Sequence, residues 1–188
     1  SLDPLTDYSK FKMQCEDVLL SKTNNDFLGC VTRPATVCGY SPRQRLDLVV
    51  NILTNFAFHK KKIKIFGGKQ LRPNIHISDM VDSYLVIIRS EENKIKDQVF
   101  NVGFENHSVE TLAKMVKDNI GSEVVLEFNK SDDNRSYHIN SNKISNILDF
   151  KPKKSIDFAI KDLISAFREK KLFNTFDNDD YFNIKKMQ

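Results

Sequence analysis

Residues 65–79 read Ile65-Phe66-Gly67-Gly68-Lys69-Gln70-Leu71-Arg72-Pro73-Asn74-Ile75-His76-Ile77-Ser78-Asp79. Residues 64–66 and 75–77 are short strand candidates on either side of the Gly67-Gly68 turn. Ser78 or Asp79 can then cap a helix that carries Met80, Val81, Tyr84, Leu85 and Ile88 at helical spacing. Strand, turn, strand and helix in so short a run predict a mixed α/β chain, and the alternation extends both ways. Upstream, Phe11, Cys15, Val18 and Leu19 follow Tyr8 with helical period until Asn24, Asn25 and Asp26 break it. Residues 27–31 and 36–38 flank Arg33-Pro34 as a buried strand and its exit, a loop follows from Gly39, and residues 46–58 are apolar on most faces, as a buried helix would be. Downstream, residues 98–102 form a strand ending at Gly103, and Ser108 caps a helix whose face is Val109, Leu112, Met115, Val116 and Ile120. Residues 124–128 read as a strand and 141–148 as a short helix. Ile156, Ala159, Ile160, Leu163, Ile164 and Phe167 line a last helix. Residues 171–188 have little apolar period and several Asn and Asp, so they form a polar tail that is ordered only if it docks.

The chain has 188 residues, enough for one ordinary domain, and 40 % apolar with 29 % charged residues excludes a collagen-like or strongly disordered chain. No uninterrupted apolar run is long enough to span a membrane, since Asp47, Asn51, Thr54 and Asn55 break the greasiest one. Cys15, Cys30 and Cys38 are an odd count without a CxxC pair, so neither a disulfide framework nor a zinc site is signalled, and a cytoplasmic setting is expected. A net charge of +4 suits an anionic small molecule. It is too weak to argue for nucleic acid, and no aromatic residues alternate with basic ones as a base-stacking platform requires. The Lys60-Lys61-Lys62 run reads as a solvated helix end.

Tyr8-Ser9-Lys10-Phe11-Lys12 sets a phenol and an ammonium four residues apart, on one helix face. A nearby cation favours phenolate and lowers a pKa that otherwise stays near about 10. Acid/base work on a sugar hydroxyl needs such a group. Alone, that spacing is common on helices, and its context gives it meaning.

With Pro4, Tyr8, Lys12 and Glu16 the chain resembles the catalytic helix of the extended short-chain dehydrogenase/reductase family, specifically its NAD-dependent sugar-nucleotide epimerases and dehydratases. Arg33-Pro34-Ala35-Thr36-Val37-Cys38-Gly39, the 65–79 run, Phe100-Asn101-Val102-Gly103 and Ile147-Leu148-Asp149-Phe150-Lys151-Pro152 are similar to later landmarks of that family, in its order. The resemblance implies an α/β fold: the end of a Rossmann-like sheet plus the small substrate-binding lobe over residues 1–170, with the tail at 171–188. It implies that Tyr8 transfers the proton and that Lys12 holds the nicotinamide ribose and tunes Tyr8. Arg33 and Pro34 would border the cofactor, NAD, and Thr36 the substrate. Arg72 would pair with the diphosphate, a task suited to a planar, permanent cation. Asp47 and Leu48 would approach the nucleotide base, and Arg135 would be a second diphosphate contact, with Lys130 as its competitor. Tyr137 would stack near the substrate or pack.

Two residues of the 65–79 run have quieter readings. His76 alternates with Ile75 and Ile77 and has no partner at ligand spacing, so a packed structural histidine is expected. Asp79 is expected to cap its helix.

The family's cofactor site also needs a glycine-rich turn, because only glycine lets backbone amides approach a pyrophosphate at a helix start. None of the six glycines supplies G-x-G before a helix. The expectation is therefore the C-terminal half of such an enzyme, inactive by itself, with a nucleotide-sugar substrate and either a homodimer or a complementary N-terminal half as partner. The alternative is a non-catalytic sugar-nucleotide-binding or dimerisation module.

Overall fold

The computed structural model describes residues 6–130 and 136–187. In chain order the elements are α1 (Asp7–Ser21), β1 (Cys30–Pro34), β2 (Thr36–Cys38), α2 (Val49–Lys60), β3 (Lys62–Phe66), β4 (Leu71–His76), α3 (Ile77–Arg89) and α4 (Glu92–Ile95). They continue with β5 (Gln98–Val102), β6 (Glu105–Ser108), α5 (Val109–Ile120), β7 (Val125–Asn129), α6 (Asn142–Leu148), α7 (Ile156–Arg168) and α8 (Asn183–Lys186).

Among the described residues the strands form three small sheets. β1 pairs with β5 in parallel, Pro34 opposite Val102; β3 pairs with β7 in parallel. β4 lies between β2, which is parallel to it, and β6, which is antiparallel. Parallel pairs require crossovers, and the helices that make them cover the strands. One core packs α2, α5 and α7 against β3 through Val50, Leu112, Ile156 and Ile160. A second packs α3 and α6 against β1, β4 and β5 through Ile75, Met80, Phe100 and Ile144.

The local chemistry explains the helix starts. Thr6, Ser108 and Ser155 accept amides of their own first turns, from Ser9, Thr111 and Phe158. At α3 the expected cap is corrected: His76 is the N-cap, its Nδ1 accepting the Ser78 amide at 3.1 Å, while Asp79 accepts the Lys154 amide at 2.8 Å and ties α3 to the entry of α7. Strand β1 also runs on through Arg33 and Pro34, beyond the expected end of that strand. The short β6 carries no sequence signal, because Glu-Asn-His-Ser has no apolar alternation.

Residues 171–187 do dock. Leu172 is buried against Leu46, Leu163 and Phe167, and Tyr181 and Phe182 pack on the same cluster. No described helix is long and apolar enough to cross a membrane.

Candidate active site

Helix α1 carries Tyr8 and Lys12 one turn apart and Glu16 a turn further on, so the three share one side of the helix. Glu16 and Arg33 of β1 form a two-pronged ion pair: Arg33 Nε lies 3.0 and 2.9 Å from the two carboxylate oxygens and Nη2 lies 2.5 Å from Oε2. This pair anchors a helix with no buried residue of its own. Tyr8 is 74 % exposed, and neither its hydroxyl nor the Lys12 ammonium has a hydrogen-bond partner among the described residues. Both are therefore available to a ligand, whereas the Arg33 guanidinium is engaged by Glu16. Pro34 is exposed at the end of β1 and has no amide proton to give.

Thr36 opens β2 directly opposite Asn74 of β4, and Asn74 stands opposite Glu105 of β6. Asn74 is fully buried; its Nδ2 donates to the Arg72 carbonyl at 2.8 Å, and its Oδ1 has no partner among the described residues. Arg72 is half-buried on the same strand, opposite His107, with Nη1 donating to the Leu71 carbonyl at 3.0 Å and the guanidinium 5.8 Å from the Tyr137 ring. Tyr137 therefore lies over the arginine. His107 Nε2 lies 2.6 Å from Glu105 Oε2, and Glu105 Oε1 accepts the Ile156 amide at the start of α7. Sequence patterning gives no sign of Glu105 and His107, since their places opposite Asn74 and Arg72 come from strand register. Arg135 lies outside the described residues.

Asp47 is committed within the protein. It receives two hydrogen bonds from Arg45, at 2.9 and 3.0 Å, and the Asn183 amide at 3.1 Å. Burial pushes its carboxyl up, but these donors and the Arg45 charge prevail and hold it below the usual carboxylate range. Leu48 is the N-cap of α2. The loop between β2 and α2 starts at Gly39, whose φ of +95° is a left-handed conformation, and a Cβ there would lie 2.6 Å from His76 Nε2.

His76 is a buried structural residue. Because Ser78 donates its amide to Nδ1, the ring proton sits on Nε2 and faces Asp162 Oδ2 at 3.4 Å. Burial lowers its pKa, against the raising pull of Asp162.

The glycine turns of the described residues form no phosphate cradle. The amides of Gly39, Gly67, Gly68, Gly103 and Gly121 bond respectively to Asn51, Asn129, Gln70, Ser141 and Lys117. A cleft of about 490 Å³ opens between Gly103 and Lys151, and none of the residues expected at the site lines it. No three His, Cys, Asp or Glu side chains among the described residues are grouped to hold a metal.

Two comparisons bear on this arrangement. The sequence pattern of the NAD dependent epimerase/dehydratase family matches residues 1–103. Among solved structures, the chain is similar to UDP-glucose 4-epimerase from Thermotoga maritima, solved with UDP-glucose, at 24 % identity and a TM-score of 0.78 over 90 % of this chain and 56 % of that one. It is similar to UDP-glucuronic acid 4-epimerase from Bacillus cereus, in complex with UDP-glucuronic acid and NAD, at 24 % identity and a TM-score of 0.78, covering 90 % of this chain and 55 % of that one. It is also similar to dTDP-glucose 4,6-dehydratase from Bacillus anthracis, in complex with NAD, at 19 % identity and a TM-score of 0.75, covering 98 % of this chain and 56 % of that one. At these identities the likeness is one of fold, and the chain spans a little over half the length of these structures.

Proposed function

This chain belongs to the NAD-dependent epimerase/dehydratase family, and on that footing we propose that it forms the substrate-holding, C-terminal half of an enzyme acting on nucleotide sugars. The observation that carries the reading is the state of α1: Tyr8 and Lys12 lie one turn apart on it, neither hydrogen-bonded among the described residues, on a helix anchored by the Glu16–Arg33 pair.

In this reading Tyr8 is the acid/base group that takes the proton of a sugar hydroxyl. Lys12 would donate to a ribose hydroxyl of the cofactor. NAD, when bound, would supply the acceptor for a hydride from the sugar carbon and the source for its return. With the cofactor in place, the keto sugar so formed would be reduced from its other face or lose water. Arg72, held by Tyr137, pairs with the diphosphate, and Thr36 borders the sugar. The 39–48 loop, with Asp47 and Leu48, faces the nucleotide base.

The residues present fit such a cofactor only in part. Tyr8 and Lys12 are free to meet its ribose, and Pro34 can pack against it. Arg33, engaged with Glu16, acts by fixing α1, and the amides of the glycine turns are already bonded. The phosphate cradle is therefore assigned to a complementary N-terminal half that adds strands beside β1. A homodimer that leaves this cradle missing does not meet the requirement.

A second reading, a non-catalytic docking module, is favoured by one observation: Tyr8, Phe11 and Val18 are all more than 60 % exposed on α1. Co-expression with a glycine-rich N-terminal half separates the two. The enzymatic reading expects NAD-dependent conversion of a nucleotide sugar by the pair and none by this chain alone. Turnover by the chain alone, or a stable pair without turnover, would contradict it.

A further inference from the structure

The polar tail does more than end the chain. The 39–48 loop is held from beneath by α2 and α7: the Gly39 amide donates to Asn51 Oδ1 at 3.2 Å, the Tyr40 amide to Asp162 Oδ2 at 2.9 Å, and Asn51 Nδ2 to the Arg45 carbonyl at 2.8 Å. Its outer part is held by the tail. The Leu46 amide donates to the Tyr181 carbonyl at 2.9 Å, the Asn183 amide to Asp47 Oδ2 at 3.1 Å, and Arg43 Nη2 to Asn183 Oδ1 at 3.3 Å. Leu46 is fully buried in the apolar cluster on which Tyr181 and Phe182 pack, and Lys171 lies 5.5 Å from the Tyr40 ring. A segment at the far end of the chain is thus joined to one loop through hydrogen bonds, an apolar cluster and a cation over a ring.

We infer that residues 171–187 are a positioning segment for that loop: by fixing Leu46 and Asp47 they set the start of α2 at Leu48, and with it the side of the site that meets the nucleoside. The inference rests on the functional reading above and adds a distinction to it. Arg72 lies on β4, packed by Tyr137, and takes no part in the tail contacts named above, so the tail governs affinity for the nucleoside and leaves affinity for the diphosphate alone.

Asn183→Pro tests this with little disturbance. Asn183 is the first residue of α8, where proline is tolerated, and Phe182 before it has φ −127° and ψ 106°, an extended conformation that a following proline favours. The change removes the amide donor to Asp47 and the side chain that meets Arg43. UDP and inorganic pyrophosphate are titrated into the full chain and the variant by calorimetry, with amide exchange followed at Leu46. A second variant, Phe182→Ala, loosens the same segment through its apolar contact.

The expected result is faster exchange at Leu46 and a UDP affinity lowered by about tenfold, with pyrophosphate affinity within about twofold. Unchanged UDP affinity despite a loosened loop would overturn the inference and leave the functional reading standing. An equal loss for both ligands would overturn it as well, since general loosening then suffices. Failure of the unaltered chain to bind either ligand would remove the functional reading and this inference together.

Discussion

Tyr8 is 74 % exposed and touches no core, so chemistry and stability separate cleanly at this residue. Tyr8→Phe should leave unfolding stability within about 0.5 kcal/mol, as surface substitutions do, and lower turnover of the completed enzyme by about 10²–10⁴-fold, as loss of a general acid/base does. Thermal unfolding and steady-state rates check the two halves of that statement. His76 behaves in the opposite way, since it is buried and its pKa lies below the ordinary histidine value of 6.5. The unfolded chain then binds the extra proton first, so stability is full above pH 6.5 and falls as acid takes the pH from there through the folded pKa. His76→Gln should flatten that slope in denaturant melts at stepped pH. Cys38 is likewise buried, and desolvation, helped by the charges of Glu105 and Asp79, pushes its thiol up to about 12. Iodoacetamide should therefore label exposed Cys15 in the native protein and reach Cys38 only on unfolding; early labelling of Cys38 would contradict its burial. That Tyr8 and Lys12 share one face of a helix is legible in the sequence because their relation is local, four residues apart. That the His107–Glu105 pair of β6 stands beside Arg72 is not legible there, because this placement depends on which residue of β6 falls opposite which residue of β4.

At the scale of elements, the helices with a continuous apolar face are readable and the strands less so. α5 and α7 begin at or beside the serines that cap them, because capping and a 3.6-residue period are written in neighbouring residues. β4 extends back to Leu71 and β6 exists without an apolar pattern, since their pairing is set by contacts between distant parts of the chain. Helix α1 has the period of a packed helix but no buried residue, and the Glu16–Arg33 pair is its principal tie to β1. Glu16→Gln should therefore raise amide exchange along α1 while leaving the α2–α5–α7 core protected. Ile160→Ala, in that core, should cost about 2–5 kcal/mol in chemical denaturation, because Ile160 is fully buried among α2, α5 and β3 side chains.

At the scale of the whole molecule, α/β character and the order of family landmarks follow from sequence, whereas the seat of the tail does not. Residues 171–187 have no repeating apolar pattern, and only the folded α2–α7 surface gives Leu172, Tyr181 and Phe182 a place to pack. The three small sheets and the exposed face of α1 are both what the proposed complementary half would cover. Parallel strands are stable when covered on both faces and paired along their edges. β1 is paired only with β5 among the described strands, and this chain covers little more than half of the proteins whose fold it shares. The central claim is that Tyr8, beside Lys12, moves the proton once a nucleotide-binding half completes this one. It is tested most directly by the rate of nucleotide-sugar conversion with NAD in the assembled pair, measured with the unaltered chain and with its Tyr8→Phe variant. The account predicts turnover with tyrosine and a loss of at least about a hundredfold with phenylalanine at unchanged melting temperature; equal rates for the two proteins would contradict it.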